Sequence, residues 1–163
     1  PKDEPETRAI WTNANDSVVS PIDKKGYAGN RETIWRWRTE FQNDFAARMD
    51  WCIKSYQEAN HPPVIVLDNL EEITVKSGQG FGMDAFNSSD PDGDNLSFLW
   101  FNYPEAGTYK KLIKIEGSEN SHNAYVIAPK VEKEETAHFI IKVTDKGEPN
   151  LCSYKRVVVK ILP

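Results

Sequence analysis

The chain is 163 residues long, enough for one domain with a real core and a smaller piece beside it, and its 39% hydrophobic content with 5 Trp, 6 Tyr and 7 Phe excludes disorder. Its 25 acidic residues outweigh 20 Lys and Arg to give a net charge of -5, so the clustered positive charge of a nucleic-acid surface is lacking and no nucleic-acid partner is expected. No apolar run approaches the roughly 18 residues of a membrane helix, and "PKDEPETRAIW" at the start has neither the basic opening nor the apolar core of a signal peptide.

The first stretch, Pro1 to Asn30, shows no sustained period and reads as irregular chain wrapped on something else; a start on Pro1 without Met is expected of a processed or excised fragment. From there Ile34, Trp37, Phe41, Phe45, Met49, Cys52 and Tyr56 recur at helical spacing and line one face of an α-helix. Thr39 and Gln42 have the spacing of a capping box, which would start the regular helix at Thr39, and Asp44 and Arg48 are placed for an i,i+4 ion pair.

At "NHPPV", Asn60 to Val64, two prolines disfavour helix and begin an extended segment, so the predicted division is 1–60 and 61–163. Beyond it the apolar period becomes two. Leu96, Phe98 and Trp100 form one alternating set, Ala137, Phe139, Ile141 and Val143 a second, and Val157, Val159 and Ile161 a third. Weaker strand candidates are Val64 to Leu67, Ile73 to Lys76, Phe81 to Phe86, Leu112 to Ile115 and Tyr125 to Ala128. Together they predict a mostly β fold: an immunoglobulin-like antiparallel β-sandwich of about seven or eight short strands, preceded by a helical and irregular segment, with Trp100 in the core.

The acidic stretch "DPDGD", Asp90 to Asp94, poses the question of a metal. An EF-hand loop beginning at Asp90 needs Gly at its sixth position and Glu at its twelfth, and the chain has Asn95 and Phe101 there, so that reading fails. Asp, Pro and Gly are also the residues that build turns. In a sandwich the loop "TDKGEPNL" would share a pole with this one, so Asp90, Asp92, Asp94 and Asp145 are the candidate ligands of a non-EF calcium site. The preferred alternative is an interdomain role, in which Arg31, Arg36, Arg38 or Arg48 meets these carboxylates.

Other chemistry is thin. His61, His122 and His138 are isolated, no Ser lies in a nucleophile elbow, and "SGQGFG", Ser77 to Gly82, runs into a strand and reads as a turn instead of a phosphate cradle. "KVEKEET", Lys130 to Thr136, reads as a solvated loop. Cys52 and Cys152 have no zinc-like spacing and are either free thiols or one long-range disulfide.

"SSDPDGDNLSFLW" with "FIIKVTDKGEPNLCSYKRVVVKI" resembles the polycystic-kidney-disease-type and related immunoglobulin-like modules that bacteria append to secreted carbohydrate-active enzymes. With "ETIWRWRTEFQNDFAARMDWCI", "ANHPPV" and "YPEAGTY" added, the whole chain resembles the C-terminal part of bacterial cellulose-binding proteins in which a sandwich follows a nucleoside-hydrolase-like domain. The resemblance implies a tail of the hydrolase-like domain, then a complete accessory domain, in a protein that is secreted, periplasmic or on the cell surface. The aspartate cluster with which nucleoside hydrolases bind calcium and activate water lies near their N-terminus and has no counterpart here, so no catalytic residue is assigned. The expected partners are a polysaccharide such as cellulose and the upstream domain of the same chain. Sugar rings pack their C–H faces on aromatic rings, which makes Trp35, Tyr103 and Tyr109 the candidate carbohydrate-binding residues, with Trp37 set aside because it lies on the apolar helix face. The alternatives are a structural part of a glycosidic or N-glycosidic bond hydrolase and a pure spacer.

Overall fold

Period-two runs have one consequence when they pair: every second side chain must share a buried face. Strands β7 (Glu135–Thr144) and β8 (Cys152–Leu162) pair antiparallel with Phe139 opposite Val157 and Ala137 opposite Val159, so the second and third alternating sets meet on one side of the sheet. β5 (Ser97–Asn102) adds antiparallel to β7 with Trp100 opposite Ile141, and β3 (Glu72–Lys76) closes the other edge parallel to β8, giving the order β3-β8-β7-β5. A second sheet pairs β4 (Gly80–Asp84) with β6 (Asn123–Ile127), antiparallel. Phe81 meets Phe139 edge to face at 5.8 Å, which joins the two inner faces.

The structure is a computed structural model that describes residues 16–20, 24–29, 31–68 and 71–163. The fold is mostly β, as the periodicity predicts, and consistent with a β-sandwich whose pairing is antiparallel except at β3. Its core holds Trp100, Phe139, Ile141, Val157 and Val159 together with Phe81, Met83, Val126 and Ile161. Trp100 is 1% exposed and donates its indole N–H to the carbonyl of His122 at 3.3 Å, so even its polar edge is satisfied.

Two weak strand candidates do not form ladders. Val64 makes a single bridge to Ser89, because Pro62 and Pro63 before it have no N–H to donate. Leu112 to Ile115 joins no strand: the Ile113 N–H donates to Asn102 Oδ1 at 3.1 Å, and the first bridge is at Glu116, to Tyr125. "SGQGFG" is a turn, with Gly78 at φ 77 and the Gln79 N–H bonded to the Lys76 carbonyl, leading straight into β4.

The chain divides into two compact units, Pro1–Phe45 and Ala46–Pro163. In the first, β1 (Asp16–Val19) and β2 (Gly26–Gly29) form a hairpin within the stretch that reads as irregular in the sequence; four-residue strands with mostly exposed side chains leave no period to see. The helical stretch is α1 (Glu32–Trp35), a break at Arg36 and Trp37, and α2 (Arg38–Trp51), with Tyr56 in a separate 3-10 turn, Tyr56–Glu58. Thr39 therefore lies inside α2, and it is Glu58 that reaches back to Ser55, accepting from its backbone N–H and hydroxyl. Of the predicted apolar stripe only Phe41, Phe45 and Met49 share a face of α2, opposite the buried Ala47, and these three are exposed, as are Ile34 on α1 and Tyr56 in the 3-10 turn. Cys52 and Cys152 are free thiols.

Trp100→Ala is expected to destabilise the sandwich by about 3–5 kcal/mol, since it removes the largest buried side chain and leaves a cavity between well-packed sheets. Urea unfolding followed by tryptophan-independent circular dichroism measures this.

Candidate carbohydrate-binding surface and the acidic pole

The aspartates of the acidic pole are drawn together, but by different partners from those the sequence suggests. Asp90 Oδ1 accepts the N–H groups of Asp92 at 2.9 Å and Asp94 at 3.2 Å, while Gly93, at φ 83, turns the chain between them. This is the turn chemistry of Asx residues. Asp145 lies in the loop between β7 and β8 and is completely buried; its Oδ1 accepts from Leu151 N at 2.8 Å and Gly147 N at 3.1 Å, and its Oδ2 from Asn60 Nδ2 at 3.0 Å. The same Asn60 amide donates to the Pro149 carbonyl at 2.8 Å. A Cβ on Gly147 would overlap that amide, so the glycine is what lets Asn60 approach.

His61 completes the clasp. Its backbone N–H donates to Asp92 Oδ2 at 2.6 Å, its Nδ1 lies 3.0 Å from Asp92 Oδ1, and its ring stacks with Tyr56 at 3.8 Å and Trp51 at 5.9 Å. Trp51 in turn donates its indole N–H to the Asn60 carbonyl at 2.8 Å. The end of α2 is thus tied to two sandwich loops, which is why residues 46–60 fall in the sandwich unit and the unit boundary precedes the composition change at "NHPPV".

Within the sandwich unit the groups that meet Asp90, Asp92 and Asp145 are neutral Asn60, His61 and backbone N–H groups, which are next to these loops in space. Among the described residues, no group of three or more His, Cys, Asp or Glu side chains is arranged to hold a metal ion. Burial pushes the Asp145 carboxyl above the usual aspartate range against the pull of its hydrogen bonds, and the nearby Asp90 charge pushes the same way. Asp90 Oδ2 is buried and has no hydrogen-bond partner among the described residues.

The three aromatic candidates do not converge. Trp35, on α1 in the first unit, is 46% exposed and meets Tyr27 edge-on at 6.1 Å. Tyr103 and Tyr109 are half-buried on a segment whose backbone N–H groups bond to the His138 and Thr136 carbonyls of β7. Trp37 lies half-buried with Arg36 5.1 Å from its ring. The exposed aromatics of the sandwich are instead Phe86, Tyr125 and Tyr154. A readable signal existed for Tyr125: in "GFGMD" and "NAYVI" the buried Phe81, Met83, Ala124 and Val126 alternate with it. A depression of about 290 Å³ between β5, β7 and Glu119–Asn120 is at the small end for a ligand pocket.

Residues 80–161, from the start of β4 to Ile161 near the end of β8, match the family described as the cellulose-binding protein Sde0182, C-terminal domain. The chain belongs to that family. A solved structure described as a nucleoside hydrolase-related hypothetical protein from Saccharophagus degradans, associated with carbohydrate metabolism, is 38% identical with a TM-score of 0.76. The similarity covers 85% of this chain and 35% of that one, so the chain spans about a third of its relative's length. A search of curated proteins returns no match. No helix among the described residues is long and apolar enough to cross a membrane.

Asp145 and Asp90 give two expected outcomes. Asp145→Ala should cost about 3–5 kcal/mol, because three N–H donors lose their acceptor inside the fold. A carboxyl raised in the folded state stabilises below its ordinary value of 3.8, and that contribution is lost as pH rises through the raised value; at pH 7 the buried charge is a burden. Asp90→Asn keeps an acceptor for the turn and removes the repulsion, so it should hold or raise stability at pH 7 by up to about 1 kcal/mol, read by chemical denaturation at pH 4 and pH 7.

Proposed function

We propose that this chain is the non-catalytic accessory part of a nucleoside-hydrolase-related protein and that its sandwich engages polysaccharide such as cellulose. The single observation that carries this reading is where the family match falls: it covers β4 to β8, all of the sandwich but its edge strand β3, and leaves out α1 and α2. Carbohydrate recognition on a sheet needs no deep pocket, only exposed rings and fixed hydrogen-bonding groups, which agrees with the open surfaces of this sandwich. We read the sandwich as an immunoglobulin-like module, on the strength of its two facing sheets and the buried tryptophan between them. An insoluble polysaccharide lies outside the cell, so the parent protein is secreted, periplasmic or displayed at the surface.

A second reading is favoured by a different observation. Phe41, Phe45 and Met49 on α2 are exposed on one helical face, and an apolar stripe of this kind is normally covered. The 1–60 segment then serves as the tail of an upstream nucleoside-hydrolase-like domain, whose surface the stripe meets, and the piece as a whole completes the fold of a glycosidic or N-glycosidic bond hydrolase. Calcium at Asp90, Asp92, Asp94 and Asp145 is no part of either reading.

Incubated with microcrystalline cellulose, the chain is expected to deplete from solution in a saturable way and to be released by soluble cello-oligosaccharide. Retention no greater than that of an aromatic-rich control protein of similar charge would overturn the binding role and leave the structural one.

A further inference from the structure

The two-stranded sheet has an outer face that its inner face dictates. Phe81, Met83, Ala124 and Val126 are buried, so Gly80, Gly82, Tyr125 and Ile127 face outward by strict alternation. Register places Gly82 beside Tyr125 and Gly80 beside Ile127, so β4 offers bare backbone where β6 carries its side chains. Tyr125 uses that space: a Cβ built on Gly80 would overlap its hydroxyl and lie 2.6 Å from Cζ, so the ring reclines across β4. One ring face then covers the strand while the residue stays 47% exposed.

Groups for hydrogen bonding flank the ring. On the other edge of β6, Glu116 exchanges both backbone hydrogen bonds with Tyr125 at 2.9 Å, which puts its side chain on the same face. That carboxylate is exposed and has no side-chain partner among the described residues. One position along, Asp84 and Asn123 pair across the strands, and Asp84 is held by His122 Nδ1 at 2.8 Å and by the Phe86 N–H at 2.8 Å. The face therefore combines a flat ring, a floor without side chains and oriented acceptors, the combination that a pyranose with its apolar C–H faces and equatorial hydroxyls requires.

We propose that this outer face, with Tyr125 lying over Gly80 as the stacking platform, Gly82 as the open floor beside it and Glu116 and Asp84 as hydroxyl acceptors, binds a segment of a β-linked glucan chain. The occupant is chosen by the family match, whose span includes both strands, so the proposal rests on the carbohydrate-binding reading above. The face is distinct from Trp35, Tyr103 and Tyr109.

The test uses the full chain, microcrystalline cellulose and cellohexaose, with binding measured by depletion and by calorimetry. Tyr125→Ala should weaken binding about tenfold, and Tyr125→Phe, which keeps the ring, should stay within about threefold of the unchanged chain. Gly82→Ile is the independent probe: a Cβ there meets nothing closer than the Ala124 carbonyl at 3.9 Å, so the fold tolerates it while the floor is filled. It should weaken binding to the same degree without lowering the melting temperature. Tyr154→Ala, on β8 of the four-stranded sheet, should leave affinity unchanged. If the unchanged chain binds and both Tyr125→Ala and Gly82→Ile bind equally well, this face is wrong and the accessory role stands. If the unchanged chain binds neither probe, both fall. Should Tyr125→Ala fail to fold, Gly82→Ile decides alone.

Discussion

The constraint on which everything else rests is the closure of the two sheets over one apolar layer. Phe81, Met83, Ala124 and Val126 from β4 and β6 have to cover Phe139, Ile141, Val157 and Val159 from β7 and β8, with Trp100 filling the space between them. Each buried side chain of that size is worth about 1.5–3 kcal/mol, which far exceeds the few tenths to 1 kcal/mol that a single cross-strand pair contributes. Strand register is therefore fixed by the core, and the outer faces inherit whatever residues remain. A slip of β6 by one residue would bury Tyr125 and expose Ala124 and Val126.

The acidic pole obeys a second constraint, that buried polar groups must find partners. Asp145 sits where β7 ends and the chain turns back, and its carboxylate gathers the N–H groups of Gly147 and Leu151, which have no strand to pair with. Asn60 enters because Gly147 leaves room for it, and through Asn60 and His61 the end of α2 joins the same network. Three carboxylates at this pole, Asp90, Asp92 and Asp145, thus act as a loop clasp in the structure. The repulsion between Asp90 and Asp145 that remains is softened by the upward shift of the Asp145 carboxyl, a group that burial already makes reluctant to ionise.

Function on such a scaffold belongs to surfaces. The bare backbone of β4 and the exposed ring of Tyr125 belong to one sheet inside the matched span, whereas Trp35 sits in the other compact unit and outside that span.

What the sequence determined by itself is what alternation and turn chemistry encode locally. The three strong period-two sets became β5, β7 and β8, Trp100 was placed in the core, and the prolines, glycines and aspartates of "DPDGD" and "SGQGFG" marked turns, because these preferences act within a few residues of chain. The tertiary structure decided which outward residues share a face and which polar groups meet. Residues 60 and 145, or 61 and 92, are far apart in sequence, and nothing in local composition says that an asparagine and a histidine will reach those carboxylates. The helical stripe shows the same limit from the other side: period told its face, but burial depends on a partner surface, and the described residues leave that face exposed. Tyr125 was visible as one letter in a weak strand; its reclining ring exists only because Gly80 on the opposing strand carries no side chain, a pairing that the sheet's long-range register creates.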